Sequence, residues 1–115
     1  MKKFLLVIKG QPANFNKLED EIKFPLYEKY GAFSKSLKSQ DRFILGDAVD
    51  QSGVHIESEG GQAGVKKIFK DTDEVATGIF IFLAQDMTEA IEISKNCPAL
   101  LHGDSVELYQ MSGMG

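Results

Sequence analysis

Two histidines and a run of carboxylates are the side chains in this sequence equipped for proton transfer. His55 stands in Val54-His55-Ile56-Glu57, where apolar and polar residues alternate. On an extended strand that alternation puts His55 and Glu57 on one face and Val54 and Ile56 on the other. An imidazole beside a carboxylate is a workable general base, because the carboxylate orients the ring and favours its charged form. A solvated strand pair near a glycine loop accounts for the same residues without chemistry. Asp71, Asp73 and Glu74 place three carboxylates within four residues. Crowded carboxylates raise one another's pKa and separate into an acid and a base, and their oxygens suit a hard cation. Their spacing matches no calcium loop, and a solvated turn explains the cluster equally well. His102, just before Gly103, belongs to a loop from which it can close over a pocket. Tyr27 and Tyr30 offer phenols to a ligand, although tyrosines on an apolar helical stripe more often pack in a core or interface.

Other chemistries find no pattern. Two histidines and the single Cys97 are too far apart in sequence for zinc spacing, so no metal is expected. Gly60, Gly61 and Gly64 lack the strand-to-helix context of a phosphate cradle, and no nucleophile elbow or Ser-His-Asp pattern is present. No cofactor is expected. Cys97, in Cys97-Pro98-Ala99-Leu100-Leu101, reads as a buried small hydrophobe with nothing to stabilise a thiolate.

The elements that would position these groups follow from periodicity. Phe4 to Ile8 is a continuous apolar run ended by Lys9-Gly10, the pattern of a strand buried on both faces. Leu18, Ile22, Leu26, Tyr30, Phe33 and Leu37 recur at helical spacing. Pro25 cannot donate to the carbonyl four residues back, so the main helix is predicted from about Pro25 to Ser39, after an irregular or short helical lead-in from Asn16 to Lys23. Phe43 to Val49, Val54 to Glu57 and Val65 to Lys70 read as extended stretches. Gly78 to Ala84 is the strongest strand signal. Asp86-Met87-Thr88-Glu89 is a capping-box pattern that opens a second helix, which Asn96-Cys97-Pro98 stops. Ser105 to Met111 is the last strand, and the tail from Ser112 to Gly115 is expected to be loose.

Strand, helix, strands, strand, helix, strand predicts an α+β fold. Its form is a ferredoxin-like antiparallel sheet with two helices on one face. Because Phe4–Ile8 and Ile79–Leu83 are apolar on both sides, the uncovered sheet face would be a large apolar patch. A homodimer through that second face, giving a dimeric α+β barrel assembly, is the expected solution.

A chain of 115 residues fits one domain, residues 1–115, with a core large enough to need no staple. A net charge of −4 argues against nucleic acid as a partner, and Lys66, Lys67 and Lys70 read as a solvated face. No segment has the apolar length to span a bilayer, so no membrane association is expected. A single cysteine makes a reducing cytoplasm the expected compartment.

In the C-terminal half, Phe69-Lys70-Asp71-Thr72-Asp73-Glu74-Val75-Ala76-Thr77-Gly78-Ile79-Phe80, Asp86-Met87-Thr88-Glu89-Ala90, Cys97-Pro98-Ala99-Leu100 and Gly103-Asp104-Ser105-Val106-Glu107 follow one another in order. This series resembles the YCII-related family, and within it the DGPF branch. Phe4–Ile8, Tyr30-Gly31-Ala32-Phe33 and Leu45-Gly46 extend it more weakly. The branch's Asp-Gly-Pro-Phe signature falls on Lys66, Lys67, Ile68 and Phe69, so only the aromatic is retained. An Arg usual after the final Glu is replaced by Leu108-Tyr109. The first helix offers Tyr27, Glu28 and Tyr30 where some members carry the His of a His–Asp acid–base pair. The resemblance implies a dimeric α+β assembly with a pocket between sheet and helices.

Taken together, the expected catalytic residues are His55, Asp71 and Glu74, and the expected ligand-binding residues are Tyr30, Phe69 and His102. The first function is a small-molecule enzyme using acid–base groups without an organic cofactor. The alternative is a non-catalytic dimeric ligand-binding or accessory module, which tolerates the lost signature Asp and the missing helix His. A cofactorless or haem-degrading monooxygenase rests on fold analogy alone.

Overall fold

A computed structural model describes residues 1–50 and 52–113. Its centre is an antiparallel pair. β1 (Lys2–Gly10) buries Phe4, Leu6 and Ile8 on one face, and β5 (Val75–Ala84) buries Phe80, Phe82 and Ala84. Their register sets Phe4 against Phe82 and Leu6 against Phe80. β2 (Phe43–Ala48) flanks β5, and β6 (Ser105–Gln110) flanks β1. The sheet order is β2-β5-β1-β6, antiparallel throughout. That is the ferredoxin-like arrangement, an α+β fold.

Two helices cover one face. α2 (Asp20–Ser39) contributes Phe33 and Leu37, and α3 (Met87–Ser94) contributes Ala90, to the same core as Phe4, Leu6, Phe80 and Phe82. The capping box forms, with Asp86 at the N-cap accepting the Glu89 N–H at 2.9 Å. The Glu89 carboxylate accepts from the Gln85 N–H at 2.9 Å and also pairs with Arg42, which ties the start of α3 to the end of the α2–β2 connection. The Cys97-Pro98 stop leads into a 3-10 helix, Pro98–His102. No helix among the described residues is long and apolar enough to cross a membrane.

Two expectations need correcting. The main helix starts at Asp20, with Pro25 inside it. Pro25 and Glu21 are both exposed, so water can satisfy the Glu21 carbonyl that proline leaves unpaired, and acids at Asp20 and Glu21 suit the helix N-terminus. A further short helix, α1 (Pro12–Asn16), precedes it, with Pro12 in the first turn where no N–H is needed.

β3 (Val54–Glu59) and β4 (Gln62–Ile68) leave the main sheet and form a separate hairpin. Gly60 and Gly61, at φ 60° and 82°, supply the two positive-φ positions that a tight hairpin turn requires. Every residue of this hairpin is exposed. Within one chain, β1 and β5 are buried on the helix-covered face and half-buried on the other. The chain measures 47 × 41 × 18 Å, a thin dimension that one helix layer and one sheet layer fill. Of the tail, Met114 and Gly115 lie outside the described residues.

The contrast between core and hairpin is measurable. Phe82→Ala, at a fully buried position, should lower unfolding free energy by about 3–5 kcal/mol in denaturant titrations. Ile56→Ala, on the exposed hairpin, should cost less than about 0.5 kcal/mol in the same titrations.

Candidate functional site

A cavity of about 590 Å³ opens between α2 and the helix-covered face of the sheet, where β2 and β5 run under it and α1 closes one side. Its volume lies within the range of small-molecule sites. Gly46, Gly78 and Phe80 contribute to the floor, Tyr27 and Tyr30 to one wall, and Phe15 to the α1 side. The rings form a connected series. Phe15 meets Tyr27 at 5.9 Å between centroids, and Tyr30 lies parallel to Phe80 at 6.5 Å. Phe33 fixes Phe80 from the core, edge-on at 5.1 Å.

The cavity's titratable wall comes from three consecutive residues. The 3-10 helix delivers His102, Gly103 turns the chain at φ 91°, and Asp104 follows. Both side chains line the cavity. His102 Nδ1 lies 3.8 Å from Asp104 Oδ2, and the two side chains are only 19% and 17% exposed. That is ion-pair reach but longer than a hydrogen bond. Nε2 of His102 is buried and has no hydrogen-bond partner among the described residues. An orphaned buried nitrogen carries a desolvation penalty of about 1–3 kcal/mol.

Asp104 owes its place to Gly10. A Cβ on Gly10 would lie 2.3 Å from Asp104 Oδ1 and 2.7 Å from Cγ, so only glycine leaves room for the carboxylate. Burial pushes the Asp104 carboxyl above the usual carboxylate range. His102 works against that shift and nearby Glu74 adds to it. Burial likewise raises the Tyr30 phenol, with smaller contributions from Cys97 and Asp104, so Tyr30 stays a hydrogen-bond donor throughout the physiological range. Burial also raises the Cys97 thiol, the main effect there, which leaves it an inert, buried group.

The residues expected from sequence are thereby sorted. Tyr30 and His102 line the cavity. Glu74 is outside the lining but close enough to act on Asp104. His55 lies on the hairpin, 2.8 Å from Glu57, with both side chains about half exposed (49% and 59%). Asp71 is exposed, and its backbone carbonyl accepts the Ala13 N–H at 2.8 Å, which anchors α1. Asp73 organises the turn between them, accepting from the Lys70 N–H at 2.8 Å and from Lys67 Nζ at 3.0 Å. Those bonds, the backbone one first, hold its carboxyl below its ordinary value. Among the described residues no three His, Cys, Asp or Glu side chains are grouped to hold a metal ion. Phe69 packs beside Gly53 and under Lys67, outside the cavity lining.

Asp104 is the residue that sequence reasoning passed over. Its signal was the glycine between it and His102, which lets two side chains separated by one residue turn to the same side.

Comparison with known proteins adds the following. A curated relative, the biogenesis of lysosome-related organelles complex 1 subunit KXD1 of Zygosaccharomyces rouxii, is 32% identical over 101 residues. The match covers 82% of this chain and 49% of that protein, so the chain spans about half the length of the curated relative it matches. A solved structure, the 5-chloro-2-hydroxyhydroquinone dehydrochlorinase of Burkholderia phenoliruptrix in complex with 2,5-dihydroxybenzoquinone, is 19% identical with a TM-score of 0.49. The similarity covers 91% of this chain and 90% of that one. The model of the YCII-related domain matches residues 2–112, nearly the whole length over which the sheet, the helices and the cavity are built, and the chain therefore belongs to the YCII-related domain family.

Proposed function

We propose that this protein is a small-molecule enzyme using acid–base chemistry in the cavity between α2 and the sheet. His102 is its proton-transfer group, and Asp104 is the carboxylate that orients it. The observation carrying this reading is the His102–Asp104 pair on the cavity wall, largely withdrawn from solvent. Low local dielectric strengthens the carboxylate's pull on an imidazolium formed during proton transfer, and the cavity admits a substrate beside the pair. Tyr30 is suited to donate a hydrogen bond to a developing oxyanion, since its phenol stays protonated. The chain's retained motifs around Asp71-Thr72-Asp73-Glu74 and Cys97-Pro98 support placing it in the DGPF branch as a divergent member. A reducing compartment such as the cytoplasm suits its one free, buried cysteine.

The alternative reading is a non-catalytic ligand-binding module, and the 3.8 Å gap between His102 and Asp104 favours it. Proton exchange separates the two. Incubated in D2O with a panel of small enolisable ketones and hydroxyaromatics, the enzyme should exchange carbon-bound protons of at least one, read by proton NMR. His102→Asn should slow that exchange roughly 100- to 10,000-fold. Ligand binding with no exchange in any compound would leave the binding module as the reading.

The raised Asp104 carboxyl has a consequence for stability. Its folded pKa lies above the unfolded value, so between the two the folded protein binds more protons than the unfolded chain. Its unfavourable contribution is absent below the unfolded value, of about 4, and is fully present above the folded one. Asp104→Asn should therefore raise the melting temperature at neutral pH, with the gain disappearing at about pH 3. A neutral-pH loss on this substitution would mean that the carboxylate is structural.

We further propose that two copies pair through the uncovered sheet face. Leu5, Val7, Ile79, Ile81 and Leu83 are half-buried there, Leu45 and Tyr109 are exposed, and the apolar group is contiguous across the sheet register. Sedimentation should report a dimer, and Ile81→Glu should return it to a monomer. A wild-type monomer at micromolar concentration sinks the pairing.

A further inference from the structure

Apart from the titratable His102, the charged side chains of the cavity are all acidic. Asp47, Asp50 and Asp104 line it, whereas none of the 13 lysines and arginines does. Lys23 Nζ lies over the Phe15 ring, 5.3 Å from its centroid, and Lys23 is not part of the lining. An anionic ligand would meet carboxylates with no lysine or arginine to receive it. The carboxylate of Asp104 is also short of partners. Among the described residues no hydrogen bond is made to it, and its ion-pair contact is His102 at 3.8 Å. A half-buried carboxylate in that condition is stabilised by whatever positive charge enters beside it. The walls suit such a charge, since the faces of Phe, Tyr and Trp rings attract cations. Phe15, Tyr27, Tyr30 and Phe80 all contribute to the lining.

We infer that the natural ligand of this cavity is a small organic cation, an ammonium group on an apolar or aromatic body, with the charge beside Asp104 and the body against the aromatic wall. The inference rests on the cavity being the functional site, and it deepens that reading by naming the ligand class. It also gives the orphaned imidazole a context. A cation seated by Asp104 fixes the rest of the ligand next to His102, the proposed proton-transfer group.

Three probes share one aromatic body and differ in charge: 2-phenylethylammonium, 2-phenylethanol and phenylacetate. Titrated into the uniformly 15N-labelled full chain and followed by the amide resonances of Gly31, Gly46, Thr77 and Gly78, the cation should bind saturably. Its affinity should exceed that of 2-phenylethanol by at least about tenfold, or about 1.4 kcal/mol, with phenylacetate weakest. Asp104→Asn should bring the cation and the alcohol to near equality while leaving alcohol binding in place. The wild-type charge ranking decides the matter even if that variant folds poorly. Binding of the alcohol or of phenylacetate as tight as the cation overturns the inference and leaves the cavity standing as the functional site. No shift of cavity amides by any probe overturns the inference as well, and the proton-exchange experiment then reports separately on the enzyme reading.

Discussion

The pairing of β1 with β5 is the constraint on which everything else hangs. Phe4 and Phe82 face each other across it, both fully buried, with ring centroids 6.0 Å apart. A slip of one residue would turn Phe4, Leu6, Phe80 and Phe82 to the uncovered face, so the register is fixed by the core. That register has one irregularity, a bulge between Ile8 and Lys9, and it falls at the cavity end of the strand. Beyond it Gly10 ends β1, and on the other side Lys9 pairs with Ser105. The residue before Ser105 is Asp104, which is thereby brought against the one position in β1 without a side chain. The apolar register thus places the carboxylate of the candidate site, through backbone geometry alone.

Phe80 belongs to both the core and the cavity. Phe33 braces it from the core, and Tyr30 stacks on it toward the cavity. A cavity floor made from a strand with large buried side chains resists collapse, because the packed layer behind it cannot be compressed cheaply. The helix over the cavity is held at a distance from the site itself. Leu26, Phe33 and Leu37 are buried along α2, whereas Phe24 and Tyr27 near its N-terminal end are exposed. The buried positions fix the roof, and the exposed face of the N-terminal end, with α1, forms the mouth.

Much of this was legible in the sequence, and the failures have physical causes. The strand signal of β5 and the Asp86 cap are local, and both elements form. The helix start was misplaced because the penalty for an internal proline was weighed without its solvent exposure, which is a tertiary property. The hairpin was read as extended but not as detached. Pairing with the main sheet or with itself satisfies the same hydrogen bonds, and the sequence periodicity is identical in both. The cavity residues divide similarly. Tyr30 and His102 were named for their chemistry, while Asp104 lay in a motif read only for its resemblance. Its role depends on a glycine nearly a hundred residues away in the chain, at Gly10.

The two His–carboxylate pairs show why burial and not distance decides between candidates. His55 and Glu57 are closer, at 2.8 Å, than His102 and Asp104, at 3.8 Å. The closer pair stands in solvent on a two-stranded arm. Two unit charges 4 Å apart attract by about 1 kcal/mol in bulk water and about 4 kcal/mol at an effective dielectric of 20. Shielding from water thus outweighs the extra ångström. It also excludes the solvent that would compete for any proton in transit. A further asymmetry points the same way. His55 already has a hydrogen-bonding partner, whereas His102 has an unsatisfied nitrogen and Asp104 an underbonded carboxylate. Folding alone would favour satisfying them, so the pair that remains unsatisfied beside a cavity is the one with bonding capacity left for a ligand.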